Sequence, residues 1–347
     1  MITIMITEIS GAGGFHSVRY ECVERPVGAF QEPVCADVIA RMCCRAFGDE
    51  VPIESVVELP WGSYNNVYRV EPRSGPPVVL RVAPAPERQF RVEAALMRNE
   101  YAAAPYLAPI RDLLPRIVFA DFTHEVINRD YLVETLLPGV PAPEGVGRYP
   151  RSQWSSLFHQ IGAVTRRIHD VRGRAFGPVA GPLFATWSEA TVAFFRTTAQ
   201  DVRDAGHDER DLWELATEAE RLAGILDEIT EPRLLHGDGW TANFLVNPET
   251  AALTLTGVCD WDRAEWGDPL ADWAIQRALL RPAGTERDAF WDGYGRPRSV
   301  ADGVRQRIYQ ARHAVALRLD RIRLGRRDQI AVTYDEIGAI LTHLRGV

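Results

Sequence analysis

Lysine is absent. Every one of the 39 lysine-or-arginine positions in this 347-residue chain is arginine. A site that other proteins build on an ammonium group must therefore be built here on a guanidinium, a planar fork of donors rather than a point charge. Long apolar runs are missing too, which excludes a membrane-spanning helix. The opening MITIMITEIS is apolar but short, has no basic flank, and predicts no secretory signal. Cysteine is sparse and unpatterned: Cys22, Cys35, Cys43, Cys44 and Cys259, an odd number with no C-x-x-C. That excludes a disulfide framework and a zinc site and points to reduced thiols in a cytoplasmic protein. Cys35, Cys43 and Cys44 fall on a predicted helix and read as small core residues. Excess positive charge is lacking as well. A net charge of −8 and a pI near 5.6 argue against a nucleic-acid partner and are compatible with a cationic one.

The hydrophobic fraction of 46% is ample for a buried core, and the length suggests two lobes. Residues 33–47 have the spacing of an amphipathic helix ended by Gly48. Gly11 to Gly14 reads as a loop. Short β-branched segments follow at 56–59, 66–72 and 77–83, with a turn at 73–77. A helix is expected over 87–104 and strands over 116–121 and 130–136, before Pro138 and Gly139 break the pattern. Beyond Pro150 the periodicity is helical, notably at 152–169 and 211–229, interrupted by strands at 243–247 and 253–261. The expected organisation is an N-terminal extension and helix (1–50), a small β-rich lobe (51–136) and a larger, mainly helical lobe (137–347). In and just before the arginine-rich segment 305–328, Val304, Ile308, Ala311, Val315, Leu319 and Ile322 share one helical face. This predicts a packed helix with a solvated basic side rather than a nucleic-acid surface.

Two motifs carry chemistry. HGDGWTAN, His236 to Asn243, places a carboxylate and an amide oxygen five residues apart; CDWD, Cys259 to Asp262, ends the next predicted hairpin. Phosphoryl transfer needs a carboxylate to orient a hydroxyl and accept its proton, and oxygen ligands for the magnesium that neutralises the phosphates. A metal hydrolase using His236, Asp238 and Asp260 is the other chemical reading of the same residues.

The order HGDGWTAN, then CDWDRAEWGDPLADWA, resembles the aminoglycoside phosphotransferases and their relatives, the choline and homoserine kinases, and the segment GRAFGPVAGPLFATW looks nearest to the hygromycin-type enzymes. The resemblance runs from about Ser55 to Trp273. It implies an α+β, bilobal, protein-kinase-like fold and a kinase using ATP, or GTP, with Mg²⁺. It implies Asp238 as base, Asn243 and Asp260 as metal ligands, and Asp268 and Asp272 as scaffold. His236 and His169 read as structural. In WGSYNNVYRV, Ser63, Tyr64 and Asn65 lie where backbone N–H groups would meet phosphates. Arg81 in VVLRV occupies the place of the phosphate-holding lysine, as in some choline kinases. Glu93 and Glu100 both suit its helix partner; Glu100, fifteen residues before Pro115, fits the family spacing. Glu134 to Leu136 correspond to the stretch that binds adenine through backbone groups.

The acceptor implied is a cationic, hydroxyl-bearing small molecule, an aminoglycoside first, whose phosphorylation gives antibiotic resistance. Asp262, Glu265 and Asp292 are the candidate carboxylates, and Trp240 and Trp266 the candidate walls for a sugar ring. A metabolic kinase for a sugar, choline or another amine alcohol is the runner-up, and an inactive nucleotide-binding scaffold comes after it. The resemblance is compatible with a monomer or a homodimer.

Overall fold

The computed structural model describes residues 2–11, 14–48, 52–282, 284–295 and 303–347, with side chains from residue 18 onward. The chain divides into two compact units: Met1–Gln89 with Pro115–Leu137, and Phe90–Leu114 with Pro138–Val347.

The first unit is a seven-stranded sheet carrying one helix. Its elements are β1 (Ile2–Gly11), β2 (Gly14–Val23), α1 (Ala36–Phe47), β3 (Ile53–Leu59), β4 (Asn66–Pro72), β5 (Val78–Val82), β6 (Ile117–Asp121) and β7 (Tyr131–Thr135). The strand order is β1-β2-β3-β4-β5-β7-β6. Gly11 and Gly14 form the last rung of the β1–β2 hairpin, whereas the centre of the loop expected there lies outside the described residues. β2 runs parallel to β3 while the other neighbours are antiparallel. A parallel pair needs a crossover, and α1 supplies it. Ile39 and Met42 of α1 are fully buried with Tyr68, Leu80 and Val133 of the sheet. Of the cysteines expected in the core only Cys43 is buried; Cys35 and Cys44 are exposed, because the apolar stripe of α1 passes through 36, 39, 42 and 43.

The second unit is mainly helical. It comprises α2 (Leu96–Ala103), β8 (Val140–Pro141), α3 (Ala142–Gly145), α4 (Trp154–His169), β9 (Gly177–Pro178), α5 (Trp187–Asp204), α6 (Arg210–Arg221), α7 (Ala223–Leu226), β10 (Arg233–Leu235), β11 (Phe244–Val246), β12 (Leu255–Val258), β13 (Glu265–Gly267), α8 (Trp273–Leu279), α9 (Glu286–Tyr294), α10 (Gly303–Arg323) and α11 (Arg327–Arg345). Two three-stranded sheets, β10-β13-β9 and β12-β11-β8, lie among the helices. No helix among the described residues is long and apolar enough to cross a membrane.

The helix expected over 87–104 is shorter. Two 3₁₀ turns precede α2, because Asp201 of α5 accepts the N–H groups of Arg91 (3.0 Å) and Val92 (3.2 Å) that helix continuation would have used. The basic side of α10 also departs from expectation. Arg318 is fully buried, forks onto Asp211 (2.8 and 2.6 Å), donates to Thr333 (2.9 Å) and lies over the Tyr334 ring. Arg305 reaches Glu228 (2.7 Å), Arg312 reaches Glu265 (2.8 Å) and Arg323 reaches Glu93 (2.9 Å). These guanidiniums are held inward by carboxylates rather than solvated; in the Arg323–Glu93 pair both side chains are buried, and removing one partner of such a pair costs roughly 3–5 kcal/mol.

Candidate active site

β10 delivers the first motif. Its three residues pair with β13, and the chain turns at Gly237 (φ +76°), where a Cβ would collide with the Arg263 carbonyl. Glycine is required there on both counts. The turn is pinned from below by Asp272, a buried carboxylate at the start of α8. It accepts the backbone N–H of His236 (2.7 Å), that of Ala274 (3.2 Å) and His169 Nε2 (3.0 Å). Burial opposes its charge, but the hydrogen bond from His169 and the nearby His236 prevail and hold its pKa below the ordinary carboxylate range.

His236 is buried against Trp261, ring centroids 4.2 Å apart. Its Nε2 meets the Cys259 carbonyl at 3.2 Å, so Nε2 carries the proton, and Nδ1 is left to accept the long Asp238 N–H contact of 3.4 Å. Burial lowers its pKa, consistent with a neutral ring. The histidine therefore ties the His236–Asp238 loop to the Cys259–Asp260 segment.

Asp238 is half-buried. The Asn243 side chain donates to its carbonyl (2.8 Å) and to its Oδ2 (3.1 Å). A carbonyl only accepts, so the amide NH₂ faces Asp238 and the Asn243 oxygen is turned away as a hard donor. Its surroundings push the Asp238 carboxyl well above the usual range: burial first, then Asp260 and Asp262, against the opposing pull of Arg263 and the Asn243 bond. Asp260, two residues past β12, is half-exposed and adopts φ +66°, the left-handed region that asparagine and aspartate enter most readily after glycine.

The donor set can be tested against magnesium. No group of three His, Cys, Asp or Glu side chains among the described residues could hold a metal by itself. Magnesium does not need one, since it takes one or two protein carboxylates and completes its shell with phosphates and water. Asp260, the Asn243 oxygen and the crowding of Asp238, Asp260 and Asp262 fit that demand.

The other candidates separate by environment. Asp262 is buried, and its carbonyl accepts from Asn99 (2.9 Å). Glu265 accepts both contacts from Arg312 (2.9 and 2.8 Å), so its charge is already matched. Trp266 is buried, edge-on to Tyr106 and pressed against Gly173, and is core rather than wall. Asp292 is exposed on α9, and Trp240 is exposed in the loop itself. Glu93 is buried between Arg263 and Arg323, whereas Glu100 meets the Trp261 N–H at 3.5 Å.

In the first unit, Arg81 on β5 is nearly buried. The register puts it on the same face as Glu134, at 3.9 Å. Leu136 lies just past the end of β7 and is exposed. Ser63 is exposed and Tyr64 half-buried in the β3–β4 turn. Asn65 is buried, and its carbonyl accepts from Gln31 (2.7 Å). That turn is braced from below by buried Glu58, which accepts from Asn66 (2.9 Å), Arg25 (2.8 Å) and the Val23 N–H (2.9 Å).

Several supporting residues escape a reading of the sequence. Arg263 neighbours Asp238 and is anchored by Glu93. Asn99 clamps the 262–264 turn through the Asp262 and Ala264 carbonyls while accepting from Ala180 (2.7 Å). Asn99 belongs to no contiguous motif, and Arg263 sits inside the second one without a chemical role that its position announces.

Residues 55–310 match the sequence profile of a phosphotransferase enzyme family. No curated protein matches the chain. Among solved structures, a thermostable mutant of aminoglycoside phosphotransferase APH(4)-Ia in its apo form superposes with a TM-score of 0.62 at 18% identity, covering 89% of this chain and all (100%) of that one. A ternary complex of a thermostable mutant of the same enzyme with AMP-PNP and hygromycin B gives 0.61 at 17% identity, covering 88% and 98%. A GDP and kanamycin complex of APH(2")-IIia gives 0.60 at 17%, again covering 88% and 98%. The likeness carries the fold, which is α+β and protein-kinase-like, with a β-sheet region followed by a mainly helical remainder.

Proposed function

Because this chain belongs to the phosphotransferase enzyme family, we propose that it is a small-molecule kinase transferring the γ-phosphoryl of ATP or GTP to a hydroxyl group. The observation that carries this reading is Asp238 held by Asn243, with Asp260 beside it after β12. Asp238 accepts the proton of the acceptor hydroxyl as the oxygen–phosphorus bond forms and the nucleoside diphosphate departs. The raised basicity of its crowded carboxyl suits that task. Asn243 holds the carboxylate in line, and His236, Asp272 and Gly237 hold the loop that bears it. Asp260 and the Asn243 oxygen are the residues that would hold magnesium. When bound, that ion neutralises phosphate charge.

On the nucleotide side we propose Arg81 for the phosphates, the backbone of Ser63, Tyr64 and Asn65 over them, and the backbone near Glu134 and Leu136 for the base. Glu100 is favoured over Glu93 as the helix glutamate serving the nucleotide, because Glu93 is committed to Arg263 and Arg323. Arg81→Ala is expected to raise the nucleotide KM at least about tenfold and lower kcat, with Arg81→Lys partly active, since lysine keeps the charge but loses the fork. Unchanged nucleotide kinetics in Arg81→Ala would return Arg81 to a structural role.

An aminoglycoside acceptor is supported by the hygromycin B and kanamycin bound in the structural neighbours. The carboxylates of this chain add little to it, since Asp262 is buried and Glu265 is matched by Arg312. The direct experiment is nucleoside-diphosphate release with magnesium over a panel of hydroxyl compounds spanning aminoglycosides, sugars, choline and hydroxy acids. Absence of acceptor-dependent release across the panel would overturn the kinase reading.

A further inference from the structure

Residues 24–35, between β2 and α1, form neither helix nor strand, yet both ends of the segment are tied down. Pro26 and Pro33 lack the N–H that regular structure would use, and a turn closes from the Ala29 N–H to the Pro26 carbonyl (3.0 Å). At the near end Glu58 accepts the Val23 N–H (2.9 Å). At the far end Val34 is buried, its carbonyl accepting from the Tyr20 hydroxyl (2.5 Å) and its N–H donating to that of Tyr68 (3.0 Å). The segment lies ahead of residues 55–310, the part of the chain that matches the family.

What the segment touches is the β3–β4 turn. Arg25 donates to Glu58 Oε1 (2.8 Å) and, through Nε, to Gln31 Oε1 (3.3 Å). With its oxygen facing Arg25, the Gln31 amide turns its NH₂ the other way and donates to the Asn65 carbonyl (2.7 Å). The next residue, Asn66, returns to Glu58 Oε1 through its own side chain (2.9 Å). Glu58, Arg25, Gln31, Asn65 and Asn66 thus close a ring, with Glu58 and Asn66 fully buried. Arg129 supports it from the side, donating to Asn66 Oδ1 (2.8 Å) and to the Glu32 carbonyl (3.3 Å). Next to the ring, Phe30 lies against Tyr64 with centroids 5.7 Å apart, and Arg88 sits over Phe30 at 5.5 Å while holding Glu32 (2.6 Å).

We infer that residues 25–32 brace the β3–β4 turn in the shape that receives the phosphates of the nucleotide, with Gln31 as the positioning residue. Gln31 acts through the turn rather than on the nucleotide. A carbonyl held at Asn65 fixes the plane of the Asn65–Asn66 peptide. That narrows the rotation open to the N–H groups of Ser63 and Tyr64 just before it, and the Phe30 contact holds the Tyr64 side chain as well. Donors already in place lose less freedom when phosphates arrive, which is the source of affinity in a preorganised site. Arg25 adds an electrostatic part: it cancels the charge of Glu58, buried beneath a turn that has an anion to receive. The inference rests on the kinase reading in naming the ligand of the turn.

The test separates the phosphates from the rest of the nucleotide. ATP and GTP with magnesium, and adenosine and guanosine alone, are titrated against the full chain by ligand-observed NMR. Gln31→Ala is expected to weaken triphosphate binding about five- to tenfold and to leave nucleoside binding within about twofold. Gln31→Met, which keeps the length of the side chain without its donor and adds no charge, should do the same. In turnover the nucleotide KM should rise by a like factor, with kcat within about twofold of the parent. A general loss of structure would instead lower triphosphate binding, nucleoside binding and kcat together. Should Gln31→Ala fail to fold, Gln31→Met decides. Unchanged triphosphate binding in the variants, or an equal loss for the nucleosides, overturns the brace and leaves the kinase reading standing. Triphosphate binding without acceptor-dependent release sinks the kinase reading, while the change in triphosphate affinity still decides the brace. Absence of triphosphate binding to the unmodified chain overturns both.

Discussion

Asp238→Asn is expected to lower turnover at least about a thousandfold while nucleotide affinity stays within about twofold. The substitution is nearly isosteric. Its amide oxygen can still accept from Asn243, as Asp238 Oδ2 does at 3.1 Å, so the loop keeps its shape. What it loses is the capacity to take a proton as the hydroxyl attacks. Single-turnover phosphoryl transfer at saturating nucleotide, beside a nucleotide titration, separates the two quantities. Near-normal turnover would remove Asp238 from the chemistry, and a collapse of nucleotide affinity would recast it as a metal or phosphate ligand.

Asp260→Ala is expected to abolish divalent-dependent nucleotide binding and to reduce activity at least about a hundredfold. Asp260 lies just past the end of β12, and no trio of His, Cys, Asp or Glu side chains among the described residues could stand in for it. Excess chelator should mimic the substitution in the unmodified protein. Full activity in chelator, or metal-dependent binding that survives in Asp260→Ala, would end the metal-ligand assignment.

The loop of Asp238 and Asn243 is legible in the sequence because its residues are contiguous and one tight turn fixes their relation. The strands at 66–72 and 130–136 are legible from β-branched spacing, and the stripe on α10 from its period. The acceptor wall is not, because nearness in sequence is a poor guide to nearness in space. Glu265 and Trp266 are neighbours on β13, and adjacent strand residues point to opposite faces. One therefore reaches out to Arg312 while the other enters the core against Gly173. The ties of Arg263 to Glu93 and of Arg318 to Asp211 join residues more than a hundred positions apart, and no local pattern announces them.

The crowding of Asp238, Asp260 and Asp262 has a thermodynamic side. A carboxyl whose pKa is raised by folding makes no difference to stability below the ordinary carboxylate range, where both folded and unfolded chains hold the proton. As pH climbs from that range toward the raised value, the folded chain keeps a proton that the unfolded chain has already released, and stability falls. The metal-free protein should accordingly melt at a lower temperature at neutral pH than in mild acid, so far as this site governs it. On the proposed role of Asp260 and Asn243 as magnesium ligands, saturating magnesium should recover the difference, whereas Asp260→Asn, which removes one of the crowded charges, should melt higher than the parent without metal and gain less from magnesium. The carboxylates proposed to serve phosphoryl transfer would then be the ones that make the metal-free protein less stable, a cost of placing function-bearing charges close together.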